Sequence, residues 1–207
     1  YFEIFKTILI EKYDYKEVYQ KELIDNDWLW KVLVYGHILD YRFIKRLRDK
    51  NEFPVTLGNL IEDKDNKDRP LSASVGIKVK QKDKSADARH LKGLNYIQTK
   101  TDKEKKFSDI QRYSINYSKN NIWEFDTVAE IRPEKYFTKP PILLIKIGFT
   151  INFKIVSSIA HIACVYTNSI YAIKSKNKNS QKLENLLGLV SSKLMTSYMI
   201  MCGSSIG

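Results

Sequence analysis

The sequence predicts an α/β (α+β) fold, with a mixed, mostly antiparallel sheet and helices at both ends. The last third of the chain contains several short runs rich in Val, Ile and Tyr, which are typical of strands. Both ends of the chain carry apolar residues at three- and four-residue steps, the period of amphipathic helices. With 207 residues, of which 43% are hydrophobic, the chain is long enough to bury a substantial core.

The first predicted element is the aromatic-rich N-terminal region, up to about Lys50. Its clearest periodic stretch places Tyr41, Ile44 and Leu47 on one side and arginines and lysines on the other. Such a stripe predicts a helix that buries one face. We therefore expect this part of the chain to be helical.

A strand with a basic face is predicted next, in VGIKVKQK. Val75, Ile77 and Val79 alternate there with lysines. Because successive side chains of a strand point to opposite faces, the lysines would share the exposed side. Further strands are predicted in FDTVAEI, ILLIKIGF, FKIVSSIAH and IACVYTNSIYAIK, and we expect them to belong to one sheet, several of them buried on both faces.

The closing stretch NLLGLVSSKLMTSYMIMCGSSIG is the most apolar part of the chain. Lys193 lies in its middle, and a central Lys costs about 2.5–3.5 kcal/mol on membrane-insertion scales, which argues against a membrane span. We predict one amphipathic helix instead, capped at Asn179 or Ser180 and ended by Gly203. Its apolar stripe would consist of Leu183, Leu186, Leu187, Val190, Leu194, Tyr198 and Met201.

The charge balance predicts a polyanionic partner. Lys and Arg number 35 against 24 Asp and Glu, a formal net charge of +11. Nucleic acid and an anionic membrane are both compatible with this excess, and a merely solvated Lys-rich surface is the simpler alternative. Two segments, GIKVKQKDKSADARHLKGL and KTDKEKKFSDIQRY, combine lysines that neutralise phosphates with Gln and Arg side chains that hydrogen-bond base edges. Taken together, these clusters favour nucleic acid.

Several enzyme signatures are missing from the sequence, including the Walker loop, the glycine-rich dinucleotide loop and the Gly-x-Ser-x-Gly elbow. KPPI lacks the Asn or Asp and the aromatic residue of an amino-methyltransferase motif, so we interpret it as a rigid entry into the next strand. His161 and Cys164, spaced as His-x-x-Cys, are too few ligands for a metal site.

The two cysteines form no disulfide framework, and no signal peptide is recognisable. We therefore expect a cytoplasmic protein. The chain starts at Tyr1 without Met and stops at Gly207. We expect it to be a fragment of a longer protein, truncated at both ends.

Four motifs follow one another along the chain: WKVLVYGHILDYRFIKRL, SVGIKVKQKDKSADARHLKGLNYI, PPILLIKIGF, and TNSIYAI followed by the closing stretch. In this order they resemble the TaqI-like C-terminal specificity domain of adenine-specific DNA methyltransferases and fused type IIG restriction–modification enzymes. The first looks like the lead into that domain and the second resembles its entry. The third resembles a family strand with Lys146 as its basic residue, and the fourth resembles the end of the domain. The resemblance covers roughly 28–207. Asn168 stands where Asp is common in the family, and Ile206 where Trp is common.

The resemblance implies sequence-specific binding of double-stranded DNA by a target-recognition domain. Residues 1–70 would be a helical connector from an upstream methyltransferase domain, and 71–207 the recognition domain, with the closing helix bracing its sheet. The fragment itself would be non-catalytic and need no cofactor. The parent enzyme would use S-adenosylmethionine, and Mg²⁺ if a nuclease is fused to it, so methylation alone and restriction–modification both stay open.

Candidate DNA-contacting residues are the basic and amide side chains of the basic clusters and of the Lys-bearing strand. Direct base readout is predicted between Thr101 and Asn121 and around Gln81. The full set is Lys78, Lys80, Gln81, Lys82, Arg89, Lys92, Lys103, Lys105, Lys106, Gln111, Arg112 and Lys146.

Other side chains near these clusters have competing interpretations. Tyr113, Tyr117 and Trp123 are assigned to the core rather than to a base or sugar. Lys146 reaches either the surface or a phosphate. The polar turn at 167–169 is interpreted as structural. Two rival functions remain: a basic module that binds protein or RNA without catalysis, and an enzyme whose pocket leaves no sequence motif.

Overall fold

The structure, a computed structural model, describes residues 18–26, 28–52, 55–62, 67–80, 85–99, 109–117, 121–148, 154–177 and 179–202. It has a mixed α/β architecture with an antiparallel sheet and helices, as predicted. Its compact units are Tyr1–Pro54 with Tyr198–Gly207, and Val55–Ser197. Of the described residues, 55–62 and 67–70 group with the second unit and 198–202 with the first, whereas the predicted segments are 1–70 and 71–207.

The first unit is built around a small helical core. Its buried residues are Trp28, Leu29, Val32 and Ile44. Tyr41 and Leu47, the other two apolar residues of the predicted stripe, pack against them. Apolar residues from the end of the closing helical region complete this cluster. The helices are α1 (Gln20–Asp25), α2 (Leu29–Tyr35) and α3 (Ile38–Leu47).

The second unit contains the strands and the remaining helices. Its strands are β1 (Leu71–Val75), β2 (Ala86–Asp87), β3 (Asn95–Ile97), β4 (Ile110–Gln111), β5 (Ser114–Ile115), β6 (Thr127–Val128), β7 (Ile142–Lys146), β8 (Ser157–Ala160), β9 (Cys164–Tyr166) and β10 (Ile170–Ser175). Its helices are α4 (Leu57–Leu60), a 3-10 turn at Arg89–Leu91, α5 (Lys135–Thr138) and α6 (Ser180–Val190), and α7 (Lys193–Cys202) follows at the unit boundary.

A four-stranded antiparallel sheet forms the centre of this unit, in the order β1–β10–β7–β8. Ala172 of β10 lies between Ser74 of β1 and Leu144 of β7, and Leu144 in turn pairs with Ser158 of β8. The strand β7 begins directly after the Pro140–Pro141 pair, whose peptide bond is cis, so the predicted entry into this strand is confirmed.

The prediction of one sheet is wrong for two strands. The strand found in FDTVAEI, β6, pairs with β2, and β9 pairs with β3 in parallel. The run IACVYTNSIYAIK therefore supplies two strands of different sheets, separated by the turn at 167–169. Alternation of apolar residues reports which face of a strand is buried, but it does not specify the pairing partner.

The two faces of the central sheet are covered differently. On one, called the helix-covered face, Leu143 and Ile173 pack against residues of α6. On the other, called the loop-covered face, Ile142, Leu144 and Ala172 pack against α5, β3, β9 and irregular segments. The period of two along β7 and β10 places their side chains alternately in these two cores.

The predicted single closing helix is interrupted at Ser191 and Ser192. Asn179 caps α6 by accepting a hydrogen bond from the Lys182 N–H at 3.1 Å, as predicted. At the break, the Ser192 hydroxyl accepts from the Met195 N–H at 3.0 Å and so starts α7. Serine side chains compete with helical hydrogen bonds in this way, which the apolar stripe alone did not reveal.

The predicted apolar stripe changes its role at the same break. Leu183, Leu186 and Val190 are buried as expected, whereas Leu194 is 42% exposed, so its assignment to the core is wrong. Lys193 is exposed and off the stripe, as predicted. Within the residues that the structure describes, no helix is both long and apolar enough to cross a membrane.

Candidate functional site

A polar cleft of about 480 Å³ opens in the second unit. Three segments that are distant in sequence form its walls: the chain after β1, the end of β3 with the residues that follow it, and the turn between β9 and β10. The lining residues are Lys78, Val79, Lys80, Tyr96, Gln98, Thr99, Thr167, Asn168 and Ser169. Most of them carry a charge, an amide or a hydroxyl.

Ile77 is fully buried, and Val79 packs against the loop-covered core and lines the cleft together with Lys78 and Lys80. The predicted strand in VGIKVKQK is wrong for its described part, because β1 ends at Val75 and isolated bridges at Ile77 and Lys78 follow it instead. The backbone of Lys78 makes two hydrogen bonds. Its N–H donates to the backbone carbonyl of Glu130 at 3.0 Å, and its carbonyl accepts from the N–H of residue 129 at 2.9 Å. Among the described residues, neither lysine has a carboxylate partner.

Three hydroxyls form a chain across the cleft, called the hydroxyl row. The Ser169 Oγ lies 2.7 Å from the Thr99 Oγ1 and 2.8 Å from the Thr167 Oγ1. A hydroxyl can both donate and accept, so the row can turn its protons towards an anion in the cleft. Ser and Thr hydroxyls beside lysines are a common set of partners for phosphate oxygens.

A glycine allows the turn at 167–169 to sit against the chain after β1. A Cβ at Gly76 would lie 2.3 Å from the Thr167 carbonyl oxygen and 2.4 Å from that of Tyr166. With glycine there, the Asn168 N–H donates to the Ile77 carbonyl at 2.9 Å. Close backbone approach of this kind tolerates no side chain, so Gly76 fixes the distance between two walls of the cleft.

A buried polar network supports the third wall. The Asp109 carboxylate accepts from the Gln98 N–H at 2.9 Å and from the Asn121 amide at 2.7 Å. The same Asn121 amide donates to the Tyr96 carbonyl, and its oxygen accepts from the Gln98 amide at 3.2 Å. Asp109 and Asn121 are only 5% and 8% exposed, so the network is shielded from water and holds this wall in place.

The three aromatic residues assigned to the core separate into two groups. Trp123 is buried against the edge of Tyr96, with ring centroids 5.2 Å apart. Tyr117 is half-buried and packs against the same core, so both residues belong to the core as predicted. Burial raises the pKa of Tyr117 to about 12. Tyr113 is 54% exposed and has a left-handed backbone, φ 69°, with the Arg112 guanidinium 4.9 Å from its ring centroid. Its assignment to the core is wrong.

Other predicted DNA-contacting residues have partners within the protein. The Arg89 guanidinium binds both carboxylate oxygens of Asp87, at 3.0 and 2.7 Å, and these hydrogen bonds hold the pKa of Asp87 well below its usual range. Lys92 pairs with Asp126 at 2.5 Å. A nearby carboxylate offsets the positive charge that would attract a phosphate, so these cations are weaker candidates than the cleft lysines.

The rest of the predicted set is dispersed. Arg112 donates to the Ser191 carbonyl at the end of α6, and Gln111 is exposed on β4. Lys146 is partly buried on β7 and pairs across the sheet with Ile170 of β10. Ile170 directly follows the cleft residue Ser169. The predicted residues outside the described parts of the chain are Gln81, Lys82, Lys103, Lys105 and Lys106.

The cleft also contains residues that the sequence did not single out, among them Tyr96, Gln98 and Thr99. No spacing or composition signal marks these three. The polar run at 167–169, which its sequence indicates to be a structural turn, also lines the cleft. A polar run directly before a buried strand was therefore the usable signal.

A second cavity, of about 320 Å³, lies in the first unit. Its charged groups neutralise each other: the Tyr41 hydroxyl donates to Glu22, and the Lys45 ammonium lies 2.9 Å from the same carboxylate. These hydrogen bonds lower the pKa of Glu22. An ionic cluster that is already internally paired has less capacity to bind a charged ligand than the cleft of the second unit.

Comparison with known proteins adds no functional assignment, because no family model matches the chain and no curated protein is significantly similar to it in sequence. Nor do the described residues contain a group of three His, Cys, Asp or Glu side chains that could hold a metal ion. The geometry of the cleft is therefore the basis for a functional proposal.

Proposed function

We propose that this chain binds double-stranded DNA through the cleft, as the target-recognition domain of an adenine-specific DNA methyltransferase or a fused type IIG restriction–modification enzyme. The observation that carries the proposal is the meeting of Lys78, Lys80 and the hydroxyl row in one cleft, with no carboxylate partner for either lysine among the described residues. The activity of the parent enzyme, with its S-adenosylmethionine and its upstream methyltransferase domain, belongs to the same proposal.

The chemistry of the cleft suits a sugar–phosphate backbone. Ammonium groups neutralise phosphates and release condensed counterions, which favours binding. Hydroxyls add short hydrogen bonds to phosphate oxygens and set the register of the protein on the duplex. The net charge of +11 would attract DNA over a longer range and speed association.

The assignment to a target-recognition domain is supported by where the resembling motifs lie. SVGIKVKQKDKSADARHLKGLNYI contributes both cleft lysines and Tyr96, and TNSIYAI contributes the turn at 167–169. PPILLIKIGF forms β7, in which Lys146 pairs with Ile170, the residue that follows the cleft turn at 167–169. Motifs identified separately along the chain thus meet around one site.

The test is DNA binding by the Lys78→Gln/Lys80→Gln double variant, measured by fluorescence anisotropy with a labelled duplex at several salt concentrations. The wild-type log affinity should fall linearly with log salt, and the variant should bind more weakly with a slope shallower by about 1.8, or 0.9 per lost phosphate contact. Lys182→Gln/Lys193→Gln is the matched control, because it removes the same charge at exposed positions outside the cleft.

Equal losses in the two double variants would mean that charge alone, and not the cleft, determines affinity. A folded wild-type chain that binds no duplex at any salt concentration would contradict the proposal. A labelled RNA duplex and a single-stranded RNA serve as competitors, and tighter binding of either RNA would favour the rival RNA-binding function.

A further inference from the structure

The turn at 167–169 is held in place before any ligand arrives. The Asn168 N–H is bound to the Ile77 carbonyl at 2.9 Å, and the Ser169 carbonyl accepts from the Ile147 N–H at 2.8 Å. The hydroxyl row fixes the Ser169 side chain as well. A prearranged turn loses little conformational freedom when a ligand binds, so it can contribute affinity and orientation at low entropic cost.

The Asn168 side chain is exposed at the cleft and has no hydrogen-bond partner among the described residues. The backbone does not require asparagine at this position either. Asparagine is favoured where φ is positive. Asn168 does not have a positive φ, because Tyr113 is the one described non-glycine residue that does. The fold thus uses the Asn168 backbone and leaves its carboxamide available.

We propose that Asn168 is a base-contacting residue that hydrogen-bonds the major-groove edge of an adenine. This inference rests on the proposed DNA-binding function. A carboxamide has one donor face and one acceptor, which match adenine N7 and N6 in a bidentate pair. Guanine presents two acceptors there, which suit Arg or Lys instead. In this arrangement Lys78 and Lys80 bind phosphates and position the DNA strand in the cleft. Asn168 supplies the sequence discrimination.

The experiment selects bound duplexes from a random library with the full 207-residue chain, once with wild type and once with Asn168→Ala. Wild type should enrich adenine at one or more positions. Asn168→Ala should lose the preference at one of them by about 5- to 150-fold, the value of a bidentate base contact. Asn185→Ala, an exposed asparagine of α6 in the same unit and outside the cleft, is the control and should keep the preference.

A second measurement replaces that adenine with 7-deaza-adenine, which lacks the N7 acceptor. The replacement should weaken binding by wild type and leave binding by Asn168→Ala unchanged. Because Asn168 is exposed, circular dichroism and thermal unfolding of the variant should match wild type.

The possible outcomes separate the two proposals. If Asn168→Ala keeps every sequence preference, or if wild type binds duplexes without any preference, the role of Asn168 is overturned while DNA binding stands. If wild type binds no duplex, the proposed function fails and the inference fails with it.

Discussion

The two faces of the central sheet bury similar apolar residues by different means. On the helix-covered face, α6 packs Leu183, Leu186 and Val190 against the sheet as one regular element. On the loop-covered face, Phe137 and Trp123 reach the core from a single-turn helix and an irregular segment. Both cores consist of buried apolar side chains, and the second is adjacent to the polar cleft, because Val79 and Tyr96 pack against that core and line the cleft.

The difference follows from backbone hydrogen bonding. A helix satisfies its own N–H and C=O groups along most of its length, so it can cover a sheet with apolar side chains alone. Irregular segments must find partners through side chains and neighbouring segments. On the loop-covered face this requirement gathers Asp109, Asn121 and the hydroxyl row behind and along the cleft. We infer that one face mainly stabilises the unit and the other also carries its function.

The largest effect is expected from Leu183→Ala on the helix-covered face. Leu183 is fully buried, so its truncation should lower the free energy of unfolding by about 2–5 kcal/mol. Urea unfolding followed by circular dichroism measures the loss. Leu194→Ala is the control, because a residue that is 42% exposed should cost about 0.5 kcal/mol or less. Weaker DNA binding by fully folded Leu183→Ala would contradict the separation of the two faces.

Gly76→Ala should affect both stability and DNA binding. The new methyl would press on the Thr167 carbonyl, so the turn at 167–169 must move, at a cost of about 1–3 kcal/mol. The measurements are urea unfolding and anisotropy with the DNA duplex. Gly188→Ala in α6 meets nothing within 4 Å and should instead stabilise the helix by about 0.5–1 kcal/mol. Normal DNA binding by Gly76→Ala would show that the position of the turn does not matter.

Asn121→Ala tests whether the buried network supports the cleft. It leaves the Asp109 carboxylate and the Tyr96 carbonyl without one donor each, which should cost about 1–3 kcal/mol. DNA affinity should also fall, since the wall formed by Gln98 loses a partner. Asn51→Ala, at an exposed position of the first unit, should change neither quantity. Unchanged affinity in a destabilised Asn121→Ala variant would limit the network to a structural role.

The smallest effect is expected at Glu62, whose carboxylate lies 3.1 Å from both the Lys135 and the Lys176 ammonium groups. Burial favours its neutral form, but the hydrogen bonds from the two lysines prevail and lower its pKa below 4.5. A depressed carboxyl pKa stabilises the fold above pH 4.5, and this contribution is lost as pH falls through the folded-state value.

Glu62→Gln should therefore be less stable than wild type at pH 7, by about 0.2–1 kcal/mol for a partly exposed pair. The difference in melting temperature should disappear as the pH approaches 3. Glu124→Gln, an exposed glutamate, should leave the profile unchanged. A constant difference from pH 7 to pH 3 would indicate that ionisation of Glu62 is not its cause.

Much of the fold could be predicted from local pattern. The helix α6 with its Asn179 cap and the strands β7, β8 and β10 follow from periods of 3.6 and 2. The break between α6 and α7 and the pairing of β9 with β3 could not be predicted in this way. The pairing depends on a segment far away in sequence. The break is made by the Ser192 hydroxyl, which an apolar stripe does not report, and the distant Ser157 hydroxyl lies 2.7 Å from that of Ser191 at the same place.

The candidate site also has features that could be predicted from the sequence and features that could not. Composition and charge identified Lys78 and Lys80 and predicted a polyanionic partner, because the types and spacing of charged residues are properties of the chain itself. Only the tertiary structure decided that Arg89 and Lys92 face carboxylates, while the cleft lysines line the same cleft as the hydroxyl row. The physical reason is that a site made of three separated segments exists only after the chain has packed, and local sequence patterns do not specify which segments will meet.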